Sequence, residues 1–312
     1  MTDSMFDPRV VLMVFVSAIS TQAYCQPLSI AKEYYEPQTL AYFKLRGPVK
    51  SVQEDGHTHL GEYNDEVDSL QLLFNSQGYL VEQIRTPISA EKSVYLMQYD
   101  SVNHLIHFYV PGSDYSDYRN CTFTYNAKGN IVKLKVFWTK HFEYLYDRMN
   151  RLIGAIECKS DGTKWKTWEY EYDASGNLVK EYGSLATDPD HVFNINEFEY
   201  DEQGNLIRSE TCSAASSFAL RCYRESMRYD DRNRLKTKTD YAGISFRSIT
   251  VISYVYNDHD DIAELNTMHP DGTSTLLSYE YEYDDQLNWV RKVALRNGKA
   301  SRVTVRRIQY FE

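Results

Sequence analysis

Short runs of alternating apolar and polar residues recur along the chain, each ending in an aromatic residue and followed by turn formers. In Trp168, Tyr170 and Tyr172 one face is aromatic, while Glu169 and Glu171 take the other. Tyr279, Tyr281 and Tyr283 oppose Glu280 and Glu282 in the same way, and Ile252, Tyr254 and Tyr256 repeat the scheme around Ser253. A period of two predicts strands with one buried and one wet face. After the aromatic residue comes Asp or Asn, which can bond backbone groups two residues on. A later Gly or Asn accepts positive φ, so each run ends in a tight turn. Apolar residues lead out again, as in a β-hairpin. Nothing between these units has helical length or period, and the one place for a short helix is Ser29 to Glu36.

Nine segments follow this plan: FNSQGYL from Phe74, YDSVNHL from Tyr99, YNAKGNI from Tyr125, YDRMNRL from Tyr146, YDASGNL from Tyr172, YDEQGNL from Tyr200, YDDRNRL from Tyr229, YNDHDDI from Tyr256 and YDDQLNW from Tyr283. The anchors are spaced 25, 26, 21, 26, 28, 29, 27 and 27 residues apart. Two residues before each anchor stand Leu72, Met97, Phe123, Tyr144, Tyr170, Phe198, Met227, Tyr254 and Tyr281, all large and apolar. One sheet face running through every unit accounts for that regularity. The expected fold is therefore all-β: an antiparallel meander of about nine hairpin repeats, or about eighteen strands. Open sheets rarely exceed ~10 strands without curling, and a bare aromatic stripe would aggregate. The sheet should curl, as a superhelix or a barrel, with its Tyr/Phe face inside. Each unit leans on its neighbours, so residues 45–312 should form a single domain.

These units resemble YD repeats, the building block of RHS-type proteins and related bacterial surface proteins. The nearest matches are Tyr172 to Leu178 and Tyr200 to Leu206. The opening LRGPVKSV (Leu45 to Val52) and the closing LNWVRK (Leu287 to Lys292) are similar to the ends of small exported YD-repeat proteins of Bacteroides-like bacteria. The resemblance implies a continuous sheet of coiling hairpins, which in large members forms a shell around a toxin. This chain has far fewer units, about two dozen residues after the ninth, and no DPxG-like self-cleavage region. A toxin cage is not expected of it.

Composition fits that picture. The 312 residues include 27 Tyr and 13 Phe, and aromatic residues favour half-buried strands. A net charge of -10 argues against nucleic-acid binding, which normally needs a basic face. Val10 to Ala18 is an apolar run too short for a bilayer span of ~20 residues. With Arg9 before it and Thr21, Gln22 and Ala23 after it, the run suits a secretory signal peptide over residues 1–25. A cut after Cys25 is preferred to one after Ala23, and residues 26–44 then form a polar segment. The resulting expectation is export to the periplasm, cell surface or medium, with no transmembrane span in the mature chain. Lipidation at Cys25 is the alternative, disfavoured because Tyr24 fills a position that is normally very small.

Four cysteines would remain, and Cys212 and Cys222 are the expected disulfide, since CSAASSFALRC can turn near Ser217. Most acidic residues follow an anchor aromatic and serve the turn. Asp258, Asp260 and Asp261 lack the Gly and distal Glu of a calcium loop, and Asp188-Pro189-Asp190 reads as a turn. His57 and His59 lack a third metal ligand at useful spacing, and His104 and His107 fall on opposite strand faces. No catalytic motif, cofactor or metal site is expected. Trp165, odd in parity and flanked by Lys164 and Lys166, is the one candidate ligand contact. The function expected is a non-enzymatic envelope scaffold that binds carbohydrate or another surface protein. A polysaccharide hydrolase with carboxylates on the concave face and a purely structural envelope component are the alternatives.

Overall fold

The computed structural model describes residues 38–59, 65–86, 91–111, 120–136, 140–214, 220–242 and 248–312. The signal segment, Cys25 and the helix expected at Ser29 to Glu36 lie outside these residues. The first strands are β1 (Val49–His59), β2 (Asp65–Phe74), β3 (Leu80–Thr86), β4 (Ser93–Tyr99), β5 (Leu105–Tyr109), β6 (Asn120–Tyr125) and β7 (Ile131–Val136). Next come β8 (Lys140–Tyr146), β9 (Leu152–Lys159), β10 (Lys164–Tyr172), β11 (Leu178–Leu185), β12 (Asp188–Tyr200), β13 (Leu206–Ala214) and β14 (Leu220–Tyr229). The series ends with β15 (Leu235–Ala242), β16 (Ser248–Tyr256), β17 (Ile262–Met268), β18 (Ser274–Tyr283), β19 (Trp289–Arg296) and β20 (Lys299–Tyr310).

Every strand pairs antiparallel with the one before it, and β20 pairs back onto β1 from Val49↔Tyr310 to Thr58↔Arg302. The meander therefore closes into a 20-stranded barrel. Closure removes the free sheet edges that an open meander would expose. Each anchor aromatic is the last residue of an even-numbered strand from β2 to β18, so the nine turns line one rim.

The turns share one chemistry. In the fifth, the Asp173 N–H donates to the Asn177 carbonyl at 2.9 Å and the Gly176 N–H to the Asp173 carbonyl at 3.1 Å. The Asp173 carboxylate accepts the Asn177 N–H at 2.8 Å. Gly176 has φ 90, and the equivalent residues of the other turns are also positive, including Asn103, Asn150, Asn233, Asp260 and Leu287. A left-handed residue is needed there, which explains the Gly and Asn in the motif.

One further bond joins neighbouring turns. The phenols of Tyr99, Tyr125, Tyr146, Tyr229 and Tyr256 donate to the carbonyls of Leu80, Leu105, Ile131, Leu206 and Leu235, at 2.8–2.9 Å. Each acceptor is the first residue of the strand leaving the preceding turn. At the tenth position the motif is split between the chain ends. Phe311 N–H donates to the Pro48 carbonyl at 2.7 Å, and Tyr310 donates to the Asp284 carboxylate. Asn288 ties the entering chain down by accepting the Arg46 N–H at 2.7 Å and donating to the Arg46 carbonyl at 2.8 Å.

The inner face divides into two parts. From β1 to β10 it holds the apolar core, including Val52, Leu72, Phe74, Met97, Phe123, Leu134, Phe142, Tyr144, Trp168 and Tyr170. Trp168 packs edge-on against Phe193, ring centroids 5.9 Å apart. Gly183 leaves room for both rings, because a Cβ there would lie 2.7 Å from the Phe193 ring. Buried polar residues share this face, at Gln83 and Glu157 in that half and more often from β11 onward, where Glu181 stands opposite Tyr170 and Asn196 opposite Glu181. Asp188-Pro189-Asp190 is a strand start and not a turn. The turn is Ala186-Thr187, and Asp188 pairs with Leu185 before a register shift to Ser184↔Val192. Pro189 sits in that irregularity, where its missing N–H leaves no ladder bond unmade.

Candidate functional site

Carboxylates on the inner wall were the first requirement for hydrolysis. Glu157, 1% exposed, receives the Lys140 ammonium at 2.7 Å. Glu54 takes Arg306 at 2.9 Å, and Asp68 takes Arg302. Glu181 accepts from the Asn196 amide at 3.2 Å. The most suggestive pair is Glu225 and Asp240, directly opposed on β14 and β15. Lys238 reaches both, at 2.6 and 3.2 Å. Burial raises the Asp240 pKa, with Lys238 opposing. Against its own burial, Lys238 is held above the usual lysine value by Glu225 and Asp240. The two carboxylates thus share a buried cation instead of facing a substrate.

Acidic residues of the turns are occupied as well. Asn257 accepts the N–H groups of His259 and Asp261 at 2.9 and 3.0 Å. Asp260 pairs with Arg232 and Arg234 at 3.1 and 2.7 Å, and Asp261 accepts the Tyr283 hydroxyl at 2.8 Å. Asp260 and Asp261 are thus each engaged by side chains of neighbouring turns. His104 closes the second turn, its Nδ1 3.0 Å from Asp100 and its ring stacked on Tyr125, while His107 lies in β5 beside Asn120. His57 and His59 lie in β1, with side chains outside the described residues.

Cys212 and Cys222 are opposed across β13 and β14 and joined in a disulfide, their Cα atoms 4.1 Å apart. Cys121 and Cys158 are buried thiols that take no part in a disulfide. Burial pushes the Cys121 thiol up to about 12, which leaves it without nucleophilic thiolate at neutral pH. Burial, and after it Glu143, also raises the Cys158 thiol.

Trp165 lies in a bulge of β10, where Lys164 pairs with Cys158 and Lys166 with Glu157. The bulge turns the indole out of the ladder, and it stays 43% exposed. Lys166 and Lys159 lie 4.4 and 5.8 Å from the ring centroid, and Lys164 is also exposed. Lys159, across the turn, was not apparent from the flanking sequence. An exposed indole among lysines can stack on a sugar ring and pair with its acidic groups.

A ring of hairpins closed by its own ends, with a packed aromatic half and neutralised carboxylates, is a β-shell built by repetition. The Teneurin YD-shell family model matches residues 33–299, and the chain belongs to this family, whose YD shell is a structural domain. No curated protein matches the chain by sequence. Among solved structures, a chain of the TcdB2-TccC3-Cdc42 complex is 13% identical over 74% of this chain and 14% of its own, with a TM-score of 0.29. A chain of a mutant Photorhabdus luminescens Tc holotoxin pore is 13% identical over 72% and 15%, with a TM-score of 0.26. A porin-like protein from Bacteroides uniformis is 10% identical over 85% and 98%, with a TM-score of 0.31. The chain spans only 14% and 15% of the two toxin-complex chains.

Proposed function

We propose that the protein is an exported, non-enzymatic YD shell that serves the cell envelope as a binding scaffold, with the Trp165 corner as its contact for an acidic carbohydrate. The observation that carries this reading is the exposed indole set among Lys159, Lys164 and Lys166 in a chain of net charge -10. That local reversal of charge favours an anionic partner, and the aromatic face adds stacking. Export is supported by the apolar run at Val10 to Ala18 and by the Cys212–Cys222 disulfide, which suits an oxidising compartment. A barrel standing in water, and not spanning lipid, is supported by exposed charges along the strands at Glu169, Glu171, Glu280 and Glu282. The absence of catalysis is supported by the pairing of Glu157, Glu225 and Asp240 with lysines. A glycan array with acidic and neutral polysaccharides tests the reading. Binding confined to acidic glycans and lost in Trp165→Ala is expected. No binding above background, or binding unchanged in that variant, would count decisively against it.

A further inference from the structure

The outer wall over β8 and β9 gathers an imidazole, a carboxylate and a thiol in one place. His141 and Glu143 stand two apart on β8 with core residue Phe142 between them, so both face outward. Cys158 on β9 is the cross-strand neighbour of His141. Nε2 of His141 lies 3.3 Å from Oε1 of Glu143. One donor atom from each of the three residues lies within 4.8 Å of the other two. Cys158 is 3% exposed and His141 half-buried, while Glu143 opens to solvent. The site therefore has a sulfur at its floor and an entrance on the carboxylate side.

Imidazole, carboxylate and thiolate are the three donor types that zinc takes, at about 2.0–2.3 Å, which places neighbouring donors of a tetrahedral ion roughly 3.3–3.8 Å apart. Side-chain rotations must close these three atoms from within 4.8 Å to that spacing as an ion binds. We propose that His141 Nε2, Glu143 Oε1 and Cys158 Sγ form a mononuclear site for a divalent cation of the zinc class, with water as the fourth ligand. The sulfur selects against magnesium and calcium. Metal binding forms the sulfur–metal bond as the Cys158 proton leaves to solvent, and thiolate and carboxylate together neutralise the ion. Three lysines oppose it: Lys133 at 3.8 Å from the same Glu143 oxygen, Lys135 paired with His141, and Lys164 paired with Cys158. Lys133 must swing away as the ion enters. A second cluster of donors among the described residues, Glu210 with Cys212 and Cys222, has both sulfurs committed to the disulfide.

Cobalt is the probe, because a cobalt–thiolate bond gives a charge-transfer band that oxygen and nitrogen ligands do not. Titrating the full chain with Co²⁺ should raise this band to one equivalent, with the visible bands of a tetrahedral ion. Cys158→Ser and His141→Ala should abolish it, while Cys121→Ser should leave it intact. Glu143→Gln should weaken binding about tenfold or more, the loss that even outer-shell changes bring. A second measurement needs no variant: Zn²⁺ should slow alkylation of Cys158, read by peptide mapping, and leave that of Cys121 unchanged. Cobalt bound without the thiolate band, a band that persists in Cys158→Ser, or alkylation of Cys158 unaffected by Zn²⁺ each overturns the proposal.

Discussion

The hydroxyl of Tyr172 donates a 2.7 Å hydrogen bond to the backbone carbonyl of Leu152, twenty residues earlier. Leu152 opens the strand that leaves the preceding turn, so the bond fastens one hairpin to the next. Its recurrence at Tyr99, Tyr125, Tyr146, Tyr229 and Tyr256 gives the motif's tyrosine a duty that phenylalanine cannot perform. Tyr172→Phe should keep the ring and its contact with Arg151, 4.9 Å away, and lose about 0.5–1.5 kcal/mol of stability. Urea unfolding of the two proteins measures the difference. An unchanged midpoint would show that water replaces the phenol without loss.

Acid should loosen the turns. Hydrogen bonds from Asn177 hold Asp173 below the usual carboxylate range, and the Arg151 and Arg234 N–H groups do the same for Asp147 and Asp230. A depressed folded value means the stabilisation is complete above the unfolded pKa of about 3.9 and disappears as pH falls through the folded value. The urea midpoint should therefore decline as pH drops below about 4. Asn in place of Asp at all three positions should flatten that decline, as Asn keeps the acceptor oxygen and does not titrate. A slope identical to that of the parent protein would place the acid sensitivity elsewhere.

Leu287 occupies the left-handed position of the ninth turn at φ 60, half exposed. A left-handed conformation costs a residue with Cβ about 1–2 kcal/mol. Leu287→Gly should raise stability by about 1 kcal/mol after the entropy of the more flexible unfolded chain is counted. Thermal unfolding reads this directly, and a lower melting temperature refutes it.

Reduction of Cys212–Cys222 should cost about 2–3 kcal/mol, as expected for a short closed loop. Non-reducing peptide mapping gives the bond, and unfolding with and without reductant gives its contribution. Cys212→Ala should then be insensitive to reductant.

Lys140 and Glu157 form a buried pair, and removing one partner leaves the other charge stranded. Lys140→Met should cost about 3–5 kcal/mol, whereas adding Glu157→Leu should recover much of the loss. A double variant no better than the single one would mean that packing, and not charge, dominates there.

The alternation and turn chemistry of nine units made eighteen strands legible in the sequence. Both are local properties, and each anchor does end a strand. The remaining two strands escaped because β1 and β20 share a turn assembled from opposite ends of the chain. Tyr310 acts as a tenth anchor, but its partners Asp284 and Asn288 belong to the ninth turn, and Pro48 and Arg46 lie at the other end. Parity placed Trp165 on the outside, where the bulge between Lys164 and Lys166 exposes it. The cluster of His141, Glu143 and Cys158 could not be found from spacing, since strand register alone brings Cys158 beside His141. Nor did the alternation reveal the lysines that neutralise Glu157 and Asp240, because they too occupy inward positions expected to be apolar.

The seam between β1 and β20 joins residues as remote as Glu54 and Arg306, 252 positions apart. Hairpins can zip in any order, but this last junction must wait for the whole chain. Until then each molecule presents two unpaired edges that match one another. The match is the same whether the edges belong to one chain or to two, so ring closure competes with exchange between molecules. Dilution favours the self-sealed ring, and crowding during refolding favours a larger ring shared by two chains. The geometry that leaves the finished barrel without a sticky edge thus makes its final step sensitive to concentration.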